Sequence, residues 1–252
     1  MKTAATLLMA FFLMLPVSVH ARKNEDRKEL KVMSYNIRLG SGKDGTNSWH
    51  MRYVATAEML KDQMPDVFGV QEALDYQVRF IEENFKDYKG VGENTAIFWN
   101  KKTVSMQKSG SFESASWALM KDKATGKSFY VVNTDLDQVA KEERKVAVRH
   151  ILDKIGEINT KNLPVVFLGG FYMKSSDSGL TEVESGMKNA RKTAEKTDNT
   201  GTYHNWGKTS ETIDHIYYSG FVSCAEYQTV TKKYDNRKFV SDHYPLTVEL
   251  VF

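Results

Sequence analysis

Pro65-Asp66-Val67-Phe68-Gly69-Val70-Gln71-Glu72 is the stretch that decides how this chain is read. Pro65-Asp66 closes the segment before it, because proline has no backbone donor and restricts its predecessor. Val67 to Val70 is an unbroken apolar run, the pattern of a short buried strand. Gln71-Glu72 then puts polar chemistry at the end of that strand. In open α/β architectures ligands bind at such ends.

The same arrangement recurs along the chain. Ser34-Tyr35-Asn36-Ile37-Arg38, Asn133-Thr134-Asp135-Leu136-Asp137, Ile213-Asp214-His215 and Ser241-Asp242-His243 each set polar residues beside an apolar run. Gly169-Gly170-Phe171-Tyr172 occupies the same kind of position without a charge.

Short strand patterns alternate with helical ones. Strands are expected at Leu30 to Ile37, Val67 to Val70, Ala96 to Trp99, Pro164 to Leu168, Ile213 to Tyr218, Phe221 to Thr231 and Tyr244 to Phe252. Ser116 to Met120 and Ser128 to Asn133 read as a hairpin around Ala124-Thr125-Gly126. Helices are expected at Tyr53 to Gln63, Ala73 to Phe85 and Glu142 to Ile158. In the last of these Val148, Ile151, Leu152, Ile155 and Ile158 fall at helical spacing. Helices separate some strands and hairpins separate others. That mixture implies an α/β fold with sheets packed face to face and helices outside, because a purely parallel sheet needs a crossover between every pair of strands.

Composition sets the frame. The chain has 252 residues, 41% hydrophobic, with no low-complexity tract and four prolines, too few for a Pro-rich linker. Lys2, the apolar run Ala4 to Val17 and the small residues Val19 and Ala21 read as a secretory signal over residues 1–21, leaving a single domain over 22–252. An exported protein, periplasmic or secreted, is therefore expected, with no membrane span. Removing Lys2 leaves 34 of the 35 basic residues against 32 acidic ones. That balance is not the strong basic footprint of a dedicated nucleic-acid binder. Cys224 is the single cysteine, so no internal disulfide forms; it reads as a small buried hydrophobe. There is no zinc spacing, no Gly-rich phosphate loop and no G-x-S-x-G turn.

Asn36, Glu72 and Asp242 offer an amide and two carboxylates, hard oxygen donors of the kind that suit Mg²⁺ or Mn²⁺. Asp214 and His243 form a second pair, since a carboxylate-oriented histidine can shuttle protons or stabilise charge.

Together these segments resemble the endonuclease/exonuclease/phosphatase superfamily, the DNase I-like group. The resemblance covers nearly the whole mature chain. Val32 to Arg38 looks like its first strand, and Pro65 to Glu72 the segment presenting a metal-binding Glu. Ile213-Asp214-His215-Ile216 and Ser241-Asp242-His243-Tyr244-Pro245 look like its closing motifs. Asn47-Ser48-Trp49 with Arg52 is similar to a stretch of secreted bacterial members. The resemblance implies a four-layer sandwich of two mixed β-sheets with helices outside. It implies that Glu72, Asn36 and Asp242 hold the metal and that His243, oriented by Asp214, contacts the scissile phosphate. Asn133 and Arg52 become candidate substrate contacts.

Three family positions are substituted. The motif Asn-Thr-His reads Asn133-Thr134-Asp135, and Gly-Asp-Phe-Asn reads Gly169-Gly170-Phe171-Tyr172. The missing His donates to the phosphate, the missing Asp activates water and the missing Asn orients the phosphate. The chain is also shorter between Gly92 and Trp117 than secreted members tend to be. Three readings follow. The first is a phosphoester-hydrolase fold with impaired or lost catalysis, binding a phosphorylated small molecule or nucleic acid. The second is an active hydrolase rewired through Asp135. The third is a binding module using the aromatic cluster Tyr203-His204-Asn205-Trp206-Gly207. No protein partner is legible.

Overall fold

The computed structural model describes residues 29–137 and 139–252. The expected signal over residues 1–21 lies outside the described residues.

In chain order the elements are strand β1 (Glu29–Asn36), helix α1 (Trp49–Gln63), β2 (Val67–Gln71), α2 (Asp75–Asn84), β3 (Tyr88–Val91), β4 (Ile97–Asn100), β5 (Val104–Phe112) and β6 (Ala115–Asp122). Then come β7 (Ser128–Asp135), α3 (Arg144–Ile158), β8 (Val165–Gly170), α4 (Ser178–Gly186), β9 (Lys188–Asn189), α5 (Ala190–Thr193), β10 (Asp214–Ser219), β11 (Ser223–Thr229) and β12 (Leu246–Val251).

The strands form two six-stranded sheets, ordered β11-β12-β1-β2-β4-β3 and β5-β6-β7-β8-β10-β9. Both are mixed. β1 and β2 run parallel in the first, β7 and β8 in the second, and the other pairs are antiparallel.

The period of two along a strand builds the layers. Leu30 and Val32 of β1 face the same core as Val131 of β7 and Val166 and Leu168 of β8, between the sheets. Their neighbours Met33 and Tyr35 turn to the other side and pack with Ala55, Met59 and Leu60 of α1 and Ile81 of α2. Val165 and Phe167 of β8 likewise pack with Val148 and Ile151 of α3 and Leu180 and Val183 of α4. Central strands are thus covered on both faces, which is why they read as continuous apolar runs. The result is the expected four-layer α/β sandwich of two mixed sheets with helices outside.

The same parity places the site. Asn36, Asn133, Asp135, Gly170 and Asp214 all lie in register with the residues that face the opposite sheet, at or near strand ends. Gly69 marks the closest approach: a Cβ there would lie 2.6 Å from Asn133 Cγ and 2.5 Å from Leu168 Cδ1 across the gap.

Several boundaries differ from expectation for physical reasons. α1 starts at Trp49 rather than Tyr53. Its buried stripe includes the polar Arg52 and Thr56, which an apolar count passes over. β5 was not legible, since it is mostly half-buried or exposed and lacks clean alternation. α4 is short and rich in small and polar residues, and β3 is only four residues long.

Candidate active-site cleft

Three adjacent strands put Asp135, Gly170 and Asp214 in one row. Asp135 of β7 pairs with Gly170 of β8, and Gly170 pairs in turn with Asp214 of β10. Below this row a buried polar layer joins the sheets. Gln71 Nε2 donates to Asn133 Oδ1 at 2.7 Å and to Ser34 Oγ at 3.3 Å. Asn133 Nδ2 donates to the carbonyls of Val70 (2.8 Å) and Ala96 (3.0 Å). Asn133 is fully buried, so this candidate substrate contact is instead a strut between sheets.

Arg52 is a strut as well. It is fully buried, and its guanidinium donates to the carbonyls of Asn47 (3.0 Å), Ile37 (2.6 Å), Val240 (3.0 Å) and Arg38 (3.0 Å). Its donors are turned to the backbone that carries the site.

On one side of the cleft stands His243. Its Nδ1 lies 2.8 Å from Asp214 Oδ2, and both residues are buried. Asp214 Oδ2 also accepts from Thr202 Oγ1 at 2.5 Å. Burial opposes charge on the imidazole, but the Asp214 carboxylate more than compensates, with Asp242 and Glu72 adding to it. The His243 pKa is pushed up to about 9. The ring is therefore a cation at neutral pH. His215, next to Asp214, faces away from the cleft: its Nε2 lies 2.9 Å from the Met173 carbonyl and its ring packs on Phe171.

On the other side, the three substituted positions touch one another. A Cβ on Gly170 would lie 3.0 Å from Tyr172 Cε2 and 3.5 Å from Asp135 Oδ1. The tyrosine ring thus sits where a side chain at 170 would start. Tyr172 OH donates to Glu72 Oε1 at 2.9 Å and accepts from Asn36 Nδ2 at 3.3 Å. Arg144 pins it from behind, with Nη1 donating to the Tyr172 carbonyl at 2.7 Å and the guanidinium 5.4 Å from the ring. Burial and the nearby carboxylates, Glu72 foremost, drive the Tyr172 pKa far up, so the phenol stays protonated. Burial, followed by Glu72, pushes Asp135 up to about 7.

Between the two sides lie the expected metal donors. Glu72 Oε1 accepts from Asn36 Nδ2 at 2.9 Å as well as from Tyr172, and Glu72 Oε2 accepts from the Leu39 N–H at 3.0 Å. Asn36 Oδ1 accepts from the Arg38 N–H at 2.9 Å. Arg38 forks onto Asp44 with two contacts of 3.1 Å, and lies 3.6 Å from Asp242 Oδ2 and 3.8 Å from Glu72 Oε2. Among the described residues no three His, Cys, Asp or Glu side chains converge in a set that could hold a metal ion. The oxygens of Glu72 and Asn36 accept from the chain itself and Asp242 Oδ2 faces Arg38, so as these side chains stand they do not fit a divalent cation.

Arg38, Glu72 and Tyr172 share another property. Each follows a strand end closely and has positive φ, at 62°, 58° and 53°. Such backbone is costly for residues other than glycine and clusters where function or a tight network requires it.

Sequence reasoning missed Asp44, Thr202 and Arg144. Asp44 lies in a Gly-rich loop where an acid reads as a turn former, and Thr202 and Arg144 carry no local signal. The aromatic cluster packs inward. Tyr203 lies 4.7 Å from the His243 ring, and His204 is buried between Phe239 (4.1 Å) and Tyr244 (4.2 Å). Beside Asp135 opens a cavity of 790 Å³ lined by Glu93, Asn94, Thr95, Glu113 and Ser116 among others, with no Lys or Arg among the described residues that line it.

Two mixed sheets face to face, with a buried His–Asp pair and carboxylates at facing strand ends, define the architecture of phosphoester-cleaving enzymes of the type the sequence resembles. Residues 33–243 match the Endonuclease/Exonuclease/phosphatase family, and the chain belongs to that family. A family member from Bacteroides thetaiotaomicron is similar at 26% identity, covering 89% of this chain and 98% of that one, with a TM-score of 0.81. A mannosyl-6-phosphatase from the same organism also shares 26% identity, over 88% of this chain and 100% of the other, with a TM-score of 0.81. Truncated Caenorhabditis elegans TDP2 shares the fold at 23% identity and a TM-score of 0.71, over 89% of this chain and 98% of that one. No curated protein matches the chain. Among the described residues no helix is long and apolar enough to cross a membrane.

Proposed function

We propose that this protein is an exported member of the family in which phosphoester hydrolysis is strongly impaired or lost while the frame of the site persists. The observation that carries this reading is the row Asp135–Gly170–Asp214 with Tyr172 packed over its centre. Gly170 has no side chain to activate a water. Asp135 brings a carboxyl where the resemblance implies an imidazole donor to phosphate. Tyr172 fills the space above Gly170 instead of orienting a phosphate. A general acid or base contributes ~10²–10⁴-fold in rate. Such losses do not multiply, but losing two such groups removes most of the acceleration.

What the cleft would take is a phosphorylated small molecule rather than a nucleic acid. The chain is close to charge balance, and the cavity beside Asp135 carries Glu93, Glu113 and Asp135 with no Lys or Arg among the described residues that line it. A polyanion is poorly matched to such a wall. The similar mannosyl-6-phosphatase fits the same class. Export is supported by Lys2, the apolar run Ala4 to Val17 and Ala21. N-terminal sequencing of protein from the periplasm or medium is expected to start at Arg22; a cytosolic chain starting at Met1 would refute export.

The test of activity is turnover of phosphomonoesters, sugar phosphates among them, and phosphodiesters with Mg²⁺ or Mn²⁺, beside an identically purified His243→Ala protein. The expected result is no turnover above the variant. Turnover that His243→Ala abolishes overturns the reading.

A second reading rests on Asp135. It is half-buried beside Glu72 and pushed up to about 7, the range in which a carboxylate serves as a general base. It requires His243-dependent turnover that Asp135→Ala removes; unchanged turnover in that variant disposes of it.

A further inference from the structure

The family generally uses divalent metals, yet every oxygen expected to bind one here is turned to a donor of the chain itself. We propose that Arg38 and Tyr172 close the cation site of this protein, taking the carboxylate oxygens of Glu72 and Asp242 that a divalent ion would need. The protein then folds and binds its ligand without Mg²⁺ or Mn²⁺.

The oxygens can be followed one by one. Glu72 Oε1 accepts from the Tyr172 hydroxyl and from Asn36 Nδ2, both at 2.9 Å. Glu72 Oε2 accepts from Leu39 N–H at 3.0 Å and faces Arg38 Nη1 at 3.8 Å. Asp242 Oδ2 faces Arg38 Nε at 3.6 Å, and Asp242 Oδ1 accepts from Ser241 Oγ at 3.3 Å. The Asn36 amide oxygen accepts from the Arg38 N–H, so Asn36 offers Glu72 its nitrogen. Mg²⁺ demands close, near-octahedral oxygen ligands at ~2.0–2.1 Å. It would have to displace a phenol, an amide and a guanidinium together.

Charge supports the same conclusion. Glu72, Asp242 and Asp44 each face the Arg38 guanidinium, which supplies the positive charge between them. A guanidinium stays charged at any accessible pH, and its planar fork matches carboxylates. A second cation entering the cluster meets like charge at contact range.

The arrangement is built into the backbone. The positive φ of Arg38, Glu72 and Tyr172 brings three side chains from three strand ends to one point. Tyr172 reaches Glu72 because Gly170 leaves room for its ring and Arg144 holds it from behind. The substitutions at 170 and 172 are thus two halves of one change.

The test is Mn²⁺ binding by titration calorimetry and by electron paramagnetic resonance of free Mn²⁺, on the mature wild type, Tyr172→Phe and Arg38→Met/Tyr172→Phe. The wild type is expected to show no saturable binding into the millimolar range, and the same melting temperature in EDTA as in Mn²⁺. The double variant is expected to bind at least about tenfold more tightly, by release of the carboxylates. Its melting temperature then rises with Mn²⁺, and Glu72→Gln added to it removes both effects. Saturable wild-type binding that Glu72→Gln abolishes overturns the proposal, as does a folded double variant that binds no better than wild type. Should circular dichroism show the double variant unfolded, the wild-type titration and a gain in Tyr172→Phe still decide. The outcomes separate this inference from the proposed function. Mn²⁺ binding without turnover sinks the inference alone. EDTA-resistant, His243-dependent turnover sinks the proposed loss of hydrolysis alone.

Discussion

The two sides of the cleft grow from the same row of strands and have met different fates. On the β10 side, His243 and Asp214 form the buried pair the family resemblance implies, and Thr202 extends it. On the β7 and β8 side, Asp135, Gly170 and Tyr172 replace the implied His, Asp and Asn, and they pack against one another. On the proposed reading, the difference is how a site loses chemistry without losing its fold. A buried ion pair cannot be dismantled one partner at a time without cost. A side chain that projects into the cleft can be exchanged if its neighbours refill the space.

The largest effect should come from breaking the retained side. Asp214→Ala strands a buried imidazolium, and urea denaturation should show a loss of about 3–5 kcal/mol. A loss under about 1 kcal/mol would mean that this pair is not the structural anchor described.

The same pair has a pH signature. The folded pKa of His243 is raised from 6.5 to about 9. Its contribution is therefore fully present below pH 6.5 and is lost as pH rises through about 9. Relative to His243→Gln, the wild type should lose up to about 3 kcal/mol between pH 6 and pH 10. A constant difference between the two proteins across that range would contradict the charged-pair account.

The altered side should show coupling instead. Gly170→Asp alone forces a Cβ against Tyr172 and a carboxylate between Asp135 and Asp214, and should destabilise by about 1–3 kcal/mol. In an Asp135→His/Tyr172→Asn background the cost should largely disappear. Additive costs would show that the three positions do not act as a unit.

Tyr172→Phe is the smallest change. It removes one hydrogen bond to a carboxylate and should cost about 1 kcal/mol in urea denaturation. An unchanged midpoint would mean that the Tyr172–Glu72 bond contributes nothing to stability.

Much of this was legible because burial writes itself into sequence. The central strands are covered on both faces and so read as apolar runs. Polar residues at the ends of those runs, with the family resemblance, placed Asn36, Glu72, Asp242, Asp214 and His243 in one region, and they do meet. What could not be read is where a polar side chain points. Asn133 and Arg52 have the chemistry of substrate contacts but turn to backbone carbonyls. Arg38 lies within the motif that was quoted for Asn36, yet nothing in its spacing signals a guanidinium set among three carboxylates. Asp44 and Thr202 come from loops, where acids and hydroxyls are ordinary. Sequence also showed three substitutions as separate losses, and only their contact shows them as one rearrangement.

The most direct test of that claim is to reverse it. Asp135→His, Gly170→Asp and Tyr172→Asn, made together in a mature chain carrying Arg38→Met, should restore Mn²⁺-dependent turnover of a phosphomonoester. Turnover should exceed wild type by at least about 10²-fold and be abolished by adding His243→Ala. A folded quadruple variant no faster than wild type, or a wild type that already turns over at the restored rate, would contradict the account.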